Sequence, residues 1–174
     1  VLALLLVIAI MVLAFVYRDV ASQLGAYGYI GIFLLSIIAN ATIIIPVPGI
    51  AITFTMGAIF DPIGVALAAG AGAALGELTG YLMGFSGQAV IEDSPAFTRL
   101  VGWMERFGVW VILALATIPN PLFDLAGIAA GALRMPIAKF LLWAWIGKTI
   151  KMLLFAFAGA SSVGWMMSLF GGVP

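Results

Sequence analysis

Apolar positions run through this chain in long blocks, and the polar positions fall almost entirely at the breaks between them. Val1–Tyr17 is uniformly apolar and closes at Arg18-Asp19. With no basic n-region and no small-residue cleavage site, it is expected to be a helix rather than a signal peptide. The connection Val20–Gly28 leads to Tyr29–Ile45, which runs into Pro46-Val47-Pro48-Gly49. Those prolines remove backbone donors and restrict the residues before them, so the helix is predicted to stop there. Ile50–Phe60 is too short to cross a hydrocarbon core of ~30 Å and ends at Asp61-Pro62. Ile63–Phe85 is long enough to span.

Ser86–Arg106 is the most polar stretch, with Glu92, Asp93, Arg99, Glu105 and Arg106. Phe97, Leu100, Val101 and Met104 recur within it at helical spacing, which predicts an interfacial amphipathic helix. Val109–Thr117 is apolar and stops at Pro119-Asn120-Pro121. Leu122–Leu133 is a second short piece, ending at Arg134-Met135-Pro136. Ile137–Ala158 is predicted to span, and Ser161–Phe170 reads as a further apolar tail or terminal half-helix.

The two halves of this pattern match. Tyr27-Gly28, Pro46-Val47-Pro48, Gly57-Ala58-Ile59-Phe60-Asp61-Pro62 and Gly76-Glu77 occur in order; Phe107-Gly108, Pro119-Asn120-Pro121, Gly131-Ala132-Leu133-Arg134-Met135-Pro136 and Gly147-Lys148 follow in the same order. Paired, interrupted hydrophobic segments point to a transporter built from repeats. The expected fold is an all-α polytopic membrane protein with two inverted repeats. Each repeat is a re-entrant helical hairpin plus a transmembrane helix, and an extra N-terminal helix precedes them. The tips would be Pro46 and Pro48 in one hairpin and Pro119 and Pro121 in the other, shielding a polar cavity. The rival reading is that the prolines only kink ordinary spanning helices. One membrane domain is expected: an N-terminal helix and connection over 1–26, repeats over 27–85 and 107–160, a polar linker over 86–106, and a tail over 161–174. The chain does not start with Met, so a segment trimmed from a longer protein is expected.

Composition sharpens this picture. Of 174 residues, 65% are hydrophobic and 8% charged, which is too little polar surface for a soluble domain of this length. Seven basic and seven acidic residues leave no net charge and form no basic tract, so nucleic acid binding has no electrostatic footprint. Cys and His are absent. Disulfides, thiol chemistry, Cys/His metal sites and His-based catalysis are thereby excluded. No cofactor or metal is expected, and an enzyme is disfavoured because no nucleophile–base pair can be named. A carboxylate pair such as Glu77 and Asp124 could act in principle.

Candidate chemistry lies at depth. Glu77 is about 22 Å along the helix axis from Pro62, and Lys148 about 18 Å from Pro136. An ionisable group there costs at least ~2.5 kcal/mol without a partner or water. The two are expected to face each other; the alternative is that Lys148 snorkels and Glu77 is protonated and inert. Asp124 follows the second break, either on a polar pathway or as an N-cap for a helix beginning near Leu125. Asn40, Thr42, Thr53, Thr55 and Asn120 are expected to satisfy backbone groups freed at the breaks. Asn40, Asn120 and Arg134 complete the candidate pathway. Gly72, Gly76, Gly80 and Gly84 form a four-residue stripe for close helix packing. The five tryptophans read as interface anchors. Arg99, Arg106, Arg134 and Lys139 fall on one side, with Arg18 and Lys151 towards the other, so the central polar segment is expected to be cytoplasmic.

The ordered set Asn40, Pro46-Val47-Pro48-Gly49, Gly57, Gly76-Glu77, Tyr81, Gly84, Phe107-Gly108, Pro119, Asp124, Ala126-Gly127, Gly131, Met135-Pro136, Phe140 and Gly147 resembles the DedA (VTT-domain, SNARE-associated Golgi protein) superfamily. The resemblance covers roughly Tyr27 to Ala160. It implies two oppositely oriented re-entrant hairpins and translocation of undecaprenyl phosphate or other lipids, or phospholipid scrambling. Many bacterial members carry glutamates on either side of the first Pro-x-Pro, where this chain has Asn40 and Ile50. Many also carry two arginines flanking the second hairpin proline, where it has Ala116-Thr117 and Leu122-Phe123. Arginine is the natural phosphate clamp; Arg134 and Lys148 are the substitutes the chain offers.

The expected function is therefore a transporter of the DedA type, moving a lipid or lipid headgroup across the bilayer, with proton coupling through a carboxylate. A proton- or ion-coupled transporter of a small solute or drug is the second reading. A non-transporting membrane assembly or scaffold protein, with the glycine stripe as an oligomer interface, is the third. Partners are membrane lipids and protons, with a homo-oligomer as one option. The expected location is a prokaryotic plasma membrane.

Overall fold

Proline and glycine set the element boundaries that the sequence pattern anticipates. In the computed structural model, which describes residues 25–41, 49–87, 94–120 and 122–169, all regular structure is helical. The expectations for Val1–Tyr17, Arg18, Thr42, Pro46, Val47, Pro48, Glu92, Asp93 and Pro121 lie outside the described residues. So does the geometry of the first Pro-x-Pro tip.

Helix α1 (Ala26–Ala41) is followed by the short α2 (Gly49–Gly57). Asp61 then caps α3 (Pro62–Gly76): its Oδ2 accepts from Gly64 N at 2.7 Å, and Pro62 fills the first position, where no amide is needed. Helix α4 (Leu78–Phe85) continues the same rod, so Pro62–Phe85 is a 24-residue apolar span that loosens only at Glu77. Helix α5 (Pro95–Phe107) is the expected amphipathic helix. It buries Leu100 and Met104 and ends at Gly108, whose φ of 57° suits a residue without Cβ. Helix α6 (Val109–Thr117) stops ahead of the Pro119 break, and α7 (Phe123–Ala132) follows it. Arg134, at φ 52°, turns the chain into Met135-Pro136 and α8 (Ile137–Leu169).

Two corrections follow. Ser161–Leu169 continues α8 and is not a separate half-helix, because nothing between Ala158 and Ser161 interrupts the backbone hydrogen bonding: Gly159 alone costs only ~1 kcal/mol. And α7 starts at Phe123, not near Leu125.

Among the described residues, two helices are long and apolar enough to cross a membrane, Pro62–Phe85 and Ile137–Ser162. They pack against each other. Helix α1 lies along α3, α7 along α4, and α6 and α2 lie against α8. Glycine makes these approaches close. A Cβ on Gly72 or Gly76 would strike the Phe33 or Ile37 carbonyl of α1, and one on Gly84 would strike the Ile128 carbonyl of α7. In return, a Cβ on Gly131 would strike the Tyr81 carbonyl. The expected stripe is thus an internal packing face: its first half receives α1 and its second half receives α7.

The same contacts recur in the other half of the molecule. Gly147 meets the Leu113 carbonyl and Ala116 Cβ of α6, as Gly76 meets Ile37 and Asn40 of α1. Gly159 and Gly57 meet the Phe54 carbonyl and Ala156 backbone, as Gly84 and Gly131 meet Ile128 and Tyr81. Around these contacts large apolar side chains, including Leu34, Leu67, Trp110 and Leu154, face outwards. Such a surface is matched to lipid.

Candidate functional site

Charge buried in an apolar span needs a partner, and the packing of α1 and α3–α4 against α8 supplies one. Lys148 Nζ donates to Glu77 Oε1, and both side chains are almost wholly buried, at 3% and 4% exposure. The ammonium also donates to Asn40 Oδ1 at 2.7 Å and lies 4.7 Å from the centre of the Phe123 ring. Four elements therefore meet at one cation: α1 gives Asn40, the α3–α4 junction gives Glu77, α7 gives Phe123 and α8 gives Lys148. The predicted facing of Glu77 and Lys148 is what the structure contains, and the snorkelling alternative is excluded by Lys148's burial. Glu77 sits at the one point where the 24-residue span loosens. Its carbonyl still bonds Tyr81 N at 3.1 Å, and its amide the Ala73 carbonyl at 3.2 Å.

Asn40 has two tasks. Its Nδ2 donates to the Ser36 carbonyl at 2.9 Å, inside its own helix, which leaves Oδ1 aimed at Lys148. Asn120 holds the corresponding place after α6. Its Nδ2 donates to the Leu115 and Ile118 carbonyls at 2.8 and 2.7 Å, and its Oδ1 accepts from Leu122 N at 2.9 Å. That is the expected service to a broken helix, and Asn120 adds nothing to the ion pair. Thr53 and Thr55 bond the Gly49 and Ala51 carbonyls within α2, and Thr53 also reaches Met152 Sδ of α8.

Asp124 is not the cap of α7. It stands in the first turn, is exposed, and makes no capping hydrogen bond; Leu122 holds the cap position. Its backbone lies against Gly80, while Gly127 lies against the Glu77 carbonyl, so the starts of α7 and α4 are side by side. Arg134 belongs elsewhere. It is exposed on the α7–α8 turn with its guanidinium 5.6 Å from the centre of the Phe85 ring. Nearby, Tyr81 Oη donates to the Met135 carbonyl at 2.5 Å.

Two participants escape a reading of the sequence. Phe123 looks like any apolar residue until Lys148 is found over it. Lys151 looks like a residue leaning towards a membrane face, yet it is buried at 9% exposure, one helical turn from Lys148. The i, i+3 spacing of Lys148 and Lys151 was the available signal, since it puts both on one helix face.

A family model described as the VTT domain matches residues 45–161. Among curated proteins, vacuole membrane protein KMS1 of Arabidopsis thaliana is 36% identical over 103 residues, covering 47% of this chain and 25% of the relative. The vacuole membrane protein 1 homolog of Dictyostelium discoideum is 51% identical over 59 residues, covering 34% of this chain and 13% of the relative. Vacuole membrane protein 1 of Bos taurus is 38% identical over 77 residues, covering 41% and 19%. The chain therefore spans at most a quarter of the length of these relatives. All three are eukaryotic, so the expectation of a prokaryotic plasma membrane draws no support from them. No solved structure matches.

Proposed function

The chain belongs to the VTT domain family of integral membrane proteins, and from that premise we propose that it moves a lipid, or a lipid headgroup, across the bilayer. The observation that carries this reading is the Glu77–Lys148–Asn40 cluster at the depth of the two spanning helices. A buried ion pair is a poor way to stabilise a fold, since an apolar replacement of equal volume does as well or better. Ionisable groups inside a membrane mark pathways for polar cargo or protons.

In this proposal α1–α2 and α6–α7 are re-entrant hairpins whose breaks enter from opposite faces; the first limb of each packs on the spanning helix of its own half and the return limb on that of the other half. The recurrence of the Gly76 contact at Gly147, and of the Gly84 contact at Gly159, supports two halves of one design. On this reading the second break, with Asn120, would lie at membrane depth, where non-helical backbone is tolerable only beside protein or water. A headgroup passing between the hairpins would exchange hydration for Glu77, Lys148 and Asn40. Protonation of Glu77 would release Lys148 and couple passage to a proton.

Reconstitution into liposomes with fluorescent lipids tests the reading. Lipid should equilibrate between leaflets with the wild-type chain, and Glu77→Gln should slow it by about tenfold or more, the equivalent of ~1.4 kcal/mol. Unchanged movement in Glu77→Gln would remove the cluster from the path. Release of an entrapped small solute under a pH gradient, without lipid movement, would instead favour the small-solute transporter.

A further inference from the structure

Helix α5 buries one face and leaves an ordered pattern on the other. Leu100 and Met104 turn inwards, into the cluster that also takes Leu133 and Met135 from the α7–α8 turn. At about 3.6 residues per turn, the exposed half of the helix divides into three bands. Trp103 and Phe107, at 49% and 52% exposure, form an aromatic band beside the buried face. Arg99 and Arg106, two turns apart and both exposed, form a basic band next to it, and the Arg106 guanidinium lies 5.2 Å from the centre of the Phe107 ring. Thr98 and Glu105 form a polar band on the far side. Aromatic, cationic and polar residues thus succeed one another around α5 in the order in which acyl chains, headgroups and water succeed one another at the edge of a bilayer.

Charge of the same sign continues beyond α5. The shared cluster puts the α7–α8 turn beside the helix, and that turn and the start of α8 expose Arg134 and Lys139. Four cations therefore stand at this end, against Glu105 among the described residues; Glu92 and Asp93, ahead of α5, lie outside them. Among the described residues neither Arg99 nor Arg106 is taken up in an ion pair. The other end of the Pro62–Phe85 span presents Asp61 instead. We propose that this face of α5, together with Arg134 and Lys139, docks on the anionic headgroups of one leaflet. A guanidinium suits a lipid phosphate because it offers paired donors to paired oxygens. Each basic residue held at an anionic surface favours the contact by about fivefold. The docking does not depend on whether the chain moves lipid. It also has a mechanical result: α5 runs through Gly108 into α6 and packs on α7, so a leaflet that holds α5 steadies both limbs of the second break.

The test uses the full chain in liposomes of one fixed mixture of phosphatidylcholine and phosphatidylglycerol, with either the one lipid or the other brominated. The chain has no cysteine, so Gly102→Cys, on the exposed side of α5 with nothing within 4 Å of an added Cβ, carries a single fluorophore. Brominated phosphatidylglycerol should quench it at least about threefold more than brominated phosphatidylcholine. Arg99→Gln with Arg106→Gln, or about 0.5 M salt, should bring the two lipids together. The same fluorophore on Ile63→Cys, exposed at the other end of the span, should show no such preference. Equal quenching by both lipids at Gly102→Cys overturns the anionic leaflet as the partner and leaves the face to an acidic protein surface. A preference that survives the double arginine variant, or one as large at Ile63→Cys, overturns it too. The unlabelled chain gives a second reading. Its melting temperature should rise by at least about 2 °C as phosphatidylglycerol replaces part of the phosphatidylcholine, and the double arginine variant should lose that rise. An equal rise in the variant counts against the docking in the same way.

Discussion

At the scale of single residues, the structure turns on Lys148. Three of its neighbours come from other elements, and each satisfies a different side of the ammonium: a carboxylate, an amide oxygen and an aromatic face. Removing one member of a buried pair strands the other, at about 3–5 kcal/mol, whereas removing both costs far less. Glu77→Gln and Lys148→Met should each lower the melting temperature in detergent, and the double variant should lose much less than the sum of the two. Additive losses would mean that the two charges are stabilised separately. The pairing was legible in the sequence because both residues interrupt long apolar runs, and depth demands a partner. Lys151 was not legible: a lysine near a helix middle and one near its end look alike until the helix boundaries are known, and the 33-residue length of α8 moved those boundaries.

Elements are fixed here by small residues more than by large ones. Gly76-Glu77 and Gly147-Lys148 look equivalent in sequence, and their contacts agree: Gly147 meets the Leu113 carbonyl, Ala116 Cβ and Thr117 amide at the end of α6, as Gly76 meets those of Ile37, Asn40 and Ala41 at the end of α1. Sequence order reveals a repeat, while the register of a repeat is set by which carbonyl each glycine meets. Gly84→Ala would drive a methyl into the Ile128 carbonyl and should cost about 1–3 kcal/mol in thermal stability. Gly102→Ala, where nothing lies within 4 Å, should be neutral or stabilise α5 by up to ~1 kcal/mol. A comparable loss at both positions would show that close approach is not what these glycines provide. Helix α5 was readable from its spacing alone, and its Leu100 and Met104 are indeed buried. Helix α7 was readable as a piece but not in its start, because Asn120 rather than Asp124 takes the freed amide ahead of it.

For the whole molecule, the open question in the sequence is whether the proline breaks turn the chain back to the face it came from. The absence of cysteine makes labelling clean. Single cysteines at Val47 and Asn120 should react with an impermeant thiol reagent from opposite faces of sealed vesicles if the halves are inverted. Reaction of both from one face would exclude inversion and return the breaks to kinks in ordinary spans. The all-helical class was legible throughout, since a chain this apolar has few other ways to satisfy its backbone in lipid.

The length of α8 carries a consequence for the bilayer itself. Thirty-three residues make a rod of about 50 Å, against ~30 Å of hydrocarbon. Such a rod must lean steeply or emerge well past the acyl chains, and surrounding lipids pay for either by bending or changing thickness. A long rod thickens the bilayer around it or leans, so its angle to the membrane normal should grow as the acyl chains of the host bilayer are shortened.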